Sequence, residues 1–253
     1  RTRDMRYLRG NIGLGHVRYA TKGAAHREEE AQPFYVNAPY GIILVHNGNL
    51  TNTRELERDL FKVDRRHVNT NSDTEMLLNV LATELQEQIS GNELTPQDVF
   101  SAVSSLHQRV EGSYASIALI SGYGLLAFRD PFGIRPLVIG KKTVSNNSFE
   151  WMIASESLVL ENNDYQIVRE VLPGEAVFIS KGGEFFAKQC ASNPKLVPCS
   201  FEYVYLARPD SVMNGISVYQ TRLRMGDLLA ETIKKQVSTG EIDVVMPIPD
   251  SSR

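Results

Sequence analysis

Residues 41–50 read Gly41-Ile42-Ile43-Leu44-Val45-His46-Asn47-Gly48-Asn49-Leu50. The apolar run 41–45 predicts a buried strand, and the strand ends at Asn-Gly. Such an ending puts two donors at one corner, the Asn47 side-chain amide and the Gly48 backbone N–H. A pair of this kind suits the oxyanion that develops on a carbonyl under nucleophilic attack. Gly48, with no side chain, also lets a substrate come close to the backbone. Asn-Gly is equally a hairpin-turn signal, and taken by itself the stretch fits a plain turn better.

Two neighbouring segments change that balance. In Gly15-His16-Val17-Arg18-Tyr19-Ala20-Thr21, residues 12–19 predict a short strand with Arg18 near its C-terminal end. Arg18 can offer a planar fork to a carboxylate, or be a solvated charge at a strand end. In Asn71-Ser72-Asp73-Thr74-Glu75, Ser72-x-x-Glu75 has the form of a capping box for the helix that follows. Asp73 there can cap, or accept from an ammonium. One Arg for a carboxylate, one Asp for an ammonium and a donor pair between them describe a site for an α-amino acid with a side-chain amide. That amino acid is glutamine or asparagine.

Bulk properties narrow the classes. The chain has 253 residues, 42% hydrophobic and 23% charged, which fits one large or two modest globular domains. A net charge of −3 gives no electrostatic case for nucleic acid or an anionic membrane. No apolar stretch approaches the roughly 20 residues that span a bilayer, and residues 1–10 lack the apolar core of a secretory signal. The two cysteines, Cys190 and Cys199, argue for a reducing compartment, hence a cytoplasmic protein. The five histidines are scattered, with no zinc-like spacing, and His16 and His46 read as structural. The chain opens at Arg1 without Met and closes at Arg253 just after a strand–loop signal, which reads as a portion of a longer protein.

Periodicity supplies the elements. Asn52 with Glu55 predicts a capped helix; residues 73–89 carry Leu77, Leu81, Leu85 and Ile89 at helical spacing. Thr95-Pro96 opens a third helix with the stripe Val99, Val103, Leu106 and Val110. From Ser113 the pattern turns to strands: 114–120 and 125–129 about the turn Ser121-Gly122-Tyr123-Gly124, then 135–140, 150–155, 174–180 and 184–188. Helices on a run of antiparallel strands make an α+β class. Asn193-Pro194-Lys195-Leu196-Val197-Pro198 reads as a linker. A strand over 202–206 and a helix over 219–238 follow, the helix with Leu223, Leu229, Ile233 and Val237 inward. Residues 243–248 read as a strand buried on both faces of a parallel sheet, the start of an α/β domain. Pro249-Asp250-Ser251-Ser252 lies beyond its carboxyl end, where such sheets bind ligands. Backbone N–H groups and hydroxyls there can hold phosphate and reach hydrated magnesium, or form an Asp-Ser turn.

The segments around Arg18, Asn47 and Asp73 resemble the glutaminase domain of the class II glutamine amidotransferases, enzymes with an N-terminal nucleophile. Three more segments narrow the likeness to the glutamine phosphoribosylpyrophosphate amidotransferases. They are Arg129-Asp130-Pro131-Phe132-Gly133-Ile134-Arg135-Pro136-Leu137, Phe201-Glu202-Tyr203-Val204-Tyr205 with Ala207-Arg208-Pro209-Asp210-Ser211, and Pro247-Ile248-Pro249-Asp250-Ser251-Ser252. The resemblance implies a four-layer αββα sandwich over residues 1–196. The start of an α/β type I phosphoribosyltransferase domain would follow over 197–253.

It implies glutamine hydrolysis and delivery of ammonia to phosphoribosyl pyrophosphate, the entry step of purine synthesis. The products would be 5-phosphoribosylamine, glutamate and pyrophosphate. Arg18 would bind the glutamine α-carboxylate and Asp73 its α-ammonium, while Asn47 and Gly48 would stabilise the oxyanion. Asp250, Ser251 and Ser252 would bind pyrophosphate, with Ser251 associated with Mg2+. Cys199 falls where some members place the first ligand of an iron–sulfur cluster, and reads equally as a free thiol. The nucleophile implied is an N-terminal Cys, a role Arg1 cannot fill, so the natural N-terminus is expected upstream. A homotetramer inhibited by purine nucleotides is also implied. Two other readings stay open: another class II amidotransferase, or a non-catalytic regulatory protein on the same fold.

Overall fold

The computed structural model describes residues 10–17, 30–89, 91, 93–145, 148–237, 240 and 242–247. Strands β1 (Phe34–Val36) and β2 (Ile42–Leu50) lead into helices α1 (Thr53–Lys62), α2 (Asp73–Gln88) and α3 (Pro96–Arg109). Next come β3 (Gly112–Ile120), β4 (Gly124–Arg129), β5 (Val138–Ser145) and β6 (Ser148–Ala154). Helix α4 (Ser157–Glu161) precedes β7 (Gln166–Glu170), β8 (Glu175–Ser180) and β9 (Phe185–Gln189). The last elements are a π-helix (Glu202–Leu206), β10 (Val212–Met213), β11 (Ile216–Ser217) and α5 (Val218–Gln236).

An antiparallel sheet of order β1-β2-β3-β4-β8-β9 carries the fold, and a second sheet has the order β6-β5-β7. The alternation of β4 shows how one strand serves two layers. Leu126 and Phe128 join Leu77, Leu81, Val99 and Leu106 in a helix–sheet core, while Leu125 and Ala127 join Ile139 and Ile153 between the sheets. On the outer face of the second sheet, Leu160 of α4 packs over Gly140. The layers are therefore αββα, as the resemblance implied. The periodic helices form as read, and α3 adds a capping box between Thr95 and Asp98.

Several elements differ from the sequence reading. Strand β2 does not end or turn at Asn47-Gly48. It runs on to Leu50, with His46 opposite Ser116, Asn47 opposite Ala115 and Gly48 opposite Tyr114, because β3 extends far enough to pair with it. Of the strand expected at 12–19, residues 12–17 form none, and among the described residues nothing lies within 4 Å of a Cβ placed at Gly13 or Gly15. Neither Asn52 nor Ser72 caps its helix with a side chain. The Asn52 amide instead bridges Arg109 O and Glu111 N, and the Glu75 carboxylate reaches back to Asn69 and Thr70.

The strand expected at 135–140 starts only at Val138, since Arg135 belongs to a loop. The linker over 193–198 is laced to that loop: Lys195, Val197 and Cys199 N donate to Pro131, Phe132 and Ile134 O. Residues 202–206 are a π-helix, because Tyr203 and Ala207, not alternate residues, face Met213 and Val218. Leu223, Leu229 and Ile233 of α5, and Val237 just past its end, are exposed. Residues 242–247 form no strand, and no described strand flanks them to supply the ladder that a doubly buried strand needs.

Candidate active site

Strand β1 pairs with β2 only as far as Phe34 opposite Leu44. Beyond that point a side chain substitutes for a strand. Gln32 Nε2 donates to His46 O at 3.0 Å, and Gln32 Oε1 accepts from His46 N at 2.6 Å. Two rungs further, Leu50 N donates to Asp73 Oδ2 at 3.1 Å. Alternate residues of a strand direct their amides to the same edge. Gly48 thus occupies the rung between Gln32 and Asp73, on the edge that no described strand covers. The other edge is held by β3, where Asn49 N donates to Ser113 Oγ.

Gly48 has φ +154°, and an added Cβ there would lie 2.0 Å from Ser113 O and 2.7 Å from His46 Nε2. Only glycine fits this backbone. Beside it, the Asn47 amide is oriented from outside. Its Oδ1 accepts from Arg135 Nη2 at 2.8 Å, and a guanidinium can only donate, so Nδ2 is turned away from Arg135. Arg135 Nη1 pairs with Glu202 Oε1 at 2.8 Å.

The loop that carries Arg135 is built from buried polar groups. The Asp130 carboxylate accepts from Tyr114, Phe132 and Ile134 N. The Arg129 guanidinium, 1% exposed, donates to Gly133, Arg135 and Val171 O. With these backbone groups satisfied, the loop holds its shape without regular structure.

His46 is structural, as read. Its Nε2 donates to Ser113 O and its Nδ1 accepts from the Thr74 hydroxyl, the tautomer that the Ser113 carbonyl requires. Burial lowers its pKa against the opposing pull of Asp73, which keeps the ring neutral. Asp73 Oδ1 stands 3.9 Å from His46 Nδ1, so its charge is not spent on an imidazolium.

Asn47, Gly48 and Asp73 are therefore brought together around the last rungs of β2. Arg18, Asp250, Ser251 and Ser252 lie outside the described residues. Cys199 is half-buried near the Arg135 loop. Among the described residues no group of three His, Cys, Asp or Glu could hold a metal ion. Sequence reasoning missed Gln32, Arg135 and Glu202 as site residues. Arg135 had a signal, a charge set between Ile134 and Pro136; Gln32 had none.

Residues 16–162 match the family described as "Glutamine amidotransferase domain". The chain is 55% identical over 246 residues to an amidophosphoribosyltransferase of Pasteurella multocida, covering 97% of this chain and 48% of that protein. It is 50% identical over 250 residues to the Escherichia coli amidophosphoribosyltransferase, covering 99% and 49%. Among solved structures, glutamine phosphoribosylpyrophosphate amidotransferase from B. subtilis, complexed with ADP and GMP, superposes with TM-score 0.71 at 31% identity. That match covers 94% of this chain and 46% of that one. The chain thus spans about half the length of the relatives it matches. Because the family match runs from His16 to Asn162, taking in the last rungs of β2, the Asp73 helix and the Arg135 loop, the chain belongs to the glutamine amidotransferase domain family.

Proposed function

We propose that this chain carries the glutamine site of an amidophosphoribosyltransferase. The enzyme hydrolyses glutamine and passes ammonia to phosphoribosyl pyrophosphate, giving 5-phosphoribosylamine, glutamate and pyrophosphate. The observation that carries this reading is the Asn47 amide, its donor end turned from Arg135, beside the Gly48 rung that no described strand covers. Asn47 Nδ2 and Gly48 N–H stabilise the tetrahedral oxyanion, and the loss of one such donor costs about 100- to 1,000-fold in rate. Asp73 takes the glutamine α-ammonium and Arg18 the α-carboxylate. The nucleophile is an N-terminal Cys of the natural protein, whose own amine serves as base.

Residues 197–253 begin the phosphoribosyltransferase domain, with Asp250, Ser251 and Ser252 as its pyrophosphate loop. Magnesium, associated with Ser251, neutralises pyrophosphate charge when bound. An iron–sulfur cluster at Cys199 would need cysteines beyond the described residues, which offer no ligand set of their own, so no step is drawn through it. The enzyme is cytoplasmic and homotetrameric. Its inhibition by purine nucleotides is supported by the ADP and GMP held by the B. subtilis protein.

The test uses the full-length natural protein with amide-labelled glutamine, phosphoribosyl pyrophosphate and magnesium. Labelled amine and pyrophosphate released in equal amounts, both abolished by Asn47→Ala, are the expected result. Glutamate release with no pyrophosphate overturns the acceptor assignment, and no turnover of either substrate overturns the enzyme reading.

A further inference from the structure

We propose that Arg135, held in place by Glu202, is a positioning residue that keeps the Asn47 amide donor turned toward the oxyanion. This rests on the glutamine-hydrolysis reading of the site. The terminal torsion of an Asn side chain is broad and two-fold, so it does not choose between presenting its oxygen and presenting its nitrogen. A donor pair for an oxyanion needs the nitrogen. Arg135 makes that choice, since only the Asn47 oxygen can face a guanidinium that has no acceptor.

The Arg135 backbone is fixed by Arg129 and Asp130, and its guanidinium by Glu202. Arg129 Nε donates to Arg135 O at 2.6 Å, Asp130 holds Phe132 and Ile134 N just before it, and Glu202 Oε1 pairs with Nη1 at 2.8 Å. Its remaining donor, Nε, is buried with no hydrogen-bond partner among the described residues. The two terminal nitrogens, one on Asn47 and one on Glu202, account for its position. Glu202 lies on the π-helix, whose Tyr203 O and the following Ala207 O are bound by Arg222 of α5. The orientation of an active-site amide is thus secured by a segment more than 150 residues away in sequence.

The experiment compares Arg135→Met, Arg135→Lys, Glu202→Gln, Asn47→Ala and Asn47→Ala/Arg135→Met in the full-length natural protein. Glutamine hydrolysis and the crystal structures of Arg135→Met and Glu202→Gln are the readouts. Arg135→Met is expected to lower kcat about 10- to 100-fold, below the loss of the donor itself, with KM for glutamine within about threefold. Arg135→Lys, which keeps a donor, retains more activity. The double variant is no slower than Asn47→Ala, because Arg135 acts through Asn47. In the Arg135→Met crystal the Asn47 amide is rotated or displaced.

An Asn47 amide that keeps its place in that crystal overturns the inference, as does a double variant whose losses multiply. Should Arg135→Met fail to fold, Glu202→Gln is judged by the same two criteria. A wild-type protein that hydrolyses no glutamine defeats the functional reading, and the Asn47 orientation in the variant crystal then decides the positioning role by itself.

Discussion

At Gly48 a single missing methyl group lets β2 lie against β3 beside the site. The backbone there has φ +154°, and a Cβ would lie 2.0 Å from the Ser113 carbonyl oxygen. Gly48→Ala is therefore expected to cost about 3 kcal/mol or more, from backbone strain and displaced β3 together. Urea unfolding measures this, and a loss under about 1 kcal/mol would contradict the geometry. The chemistry of Asn47 and Gly48 was readable from their residue types, but their setting was not. Asn-Gly suggests a strand end or a turn, and only the length of the paired strand β3 carries β2 through both residues. Arg135 and Glu202 stayed hidden because their meeting depends on a loop and a distant π-helix folding toward each other.

His107 makes a second prediction at this scale. Its Nδ1 meets the Tyr114 hydroxyl at 2.8 Å and its Nε2 the Gly174 carbonyl at 3.2 Å, and burial lowers its pKa to about 4. The unfolded chain, with a His pKa near 6.5, takes up a proton between about pH 6.5 and 4 that the folded one refuses. Stability is full above that window and falls through it by at most about 1.4 kcal/mol per pH unit for this one group. His46, lowered by burial in the same sense, adds to the slope. Stability measured against pH should flatten in His107→Gln by about one proton's share, and an unchanged slope would count against this assignment.

Two helix starts share a motif at the scale of elements, yet only one uses it. Thr95 and Asp98 exchange hydrogen bonds across the first turn of α3. Ser72 makes no such bond, and Glu75 turns back to Asn69 and Thr70. Thr95→Ala is expected to cost about 1 kcal/mol and Ser72→Ala under about 0.5 kcal/mol, read from paired thermal melts. Equal costs would mean the two starts are alike. Helices α2 and α3 were legible because a 3.6-residue period survives whatever packs on them. The segment Glu202-Tyr203-Val204-Tyr205-Leu206 was misread because its aromatic and branched residues favour a strand in isolation. Arg222, by binding Tyr203 O and Ala207 O, shows the tertiary contact that overrides that preference.

Over the whole molecule, what distinguishes the elements is which layers cover them. Leu81 of α2 is 0% exposed in the helix–sheet core, whereas Leu229 of α5 is 60% exposed with no described layer over it. The periodicity of the two helices is similar, so sequence could not tell them apart, nor show that one sheet packs on another through Ala127 and Ile139. Leu81→Ala is expected to cost about 3 kcal/mol, as for a filled core position. In the 253-residue chain Leu229→Ala should change stability by less than about 0.5 kcal/mol. The proposed phosphoribosyltransferase domain adds a layer over α5 in the longer natural protein. There the same change should cost about 2–3 kcal/mol, comparable to a core residue. Denaturant unfolding of both lengths, each with and without Leu229→Ala, separates the cases. A cost that stays near zero at both lengths would mean that nothing covers α5, and the assignment of residues 197–253 to a second domain would fall with it.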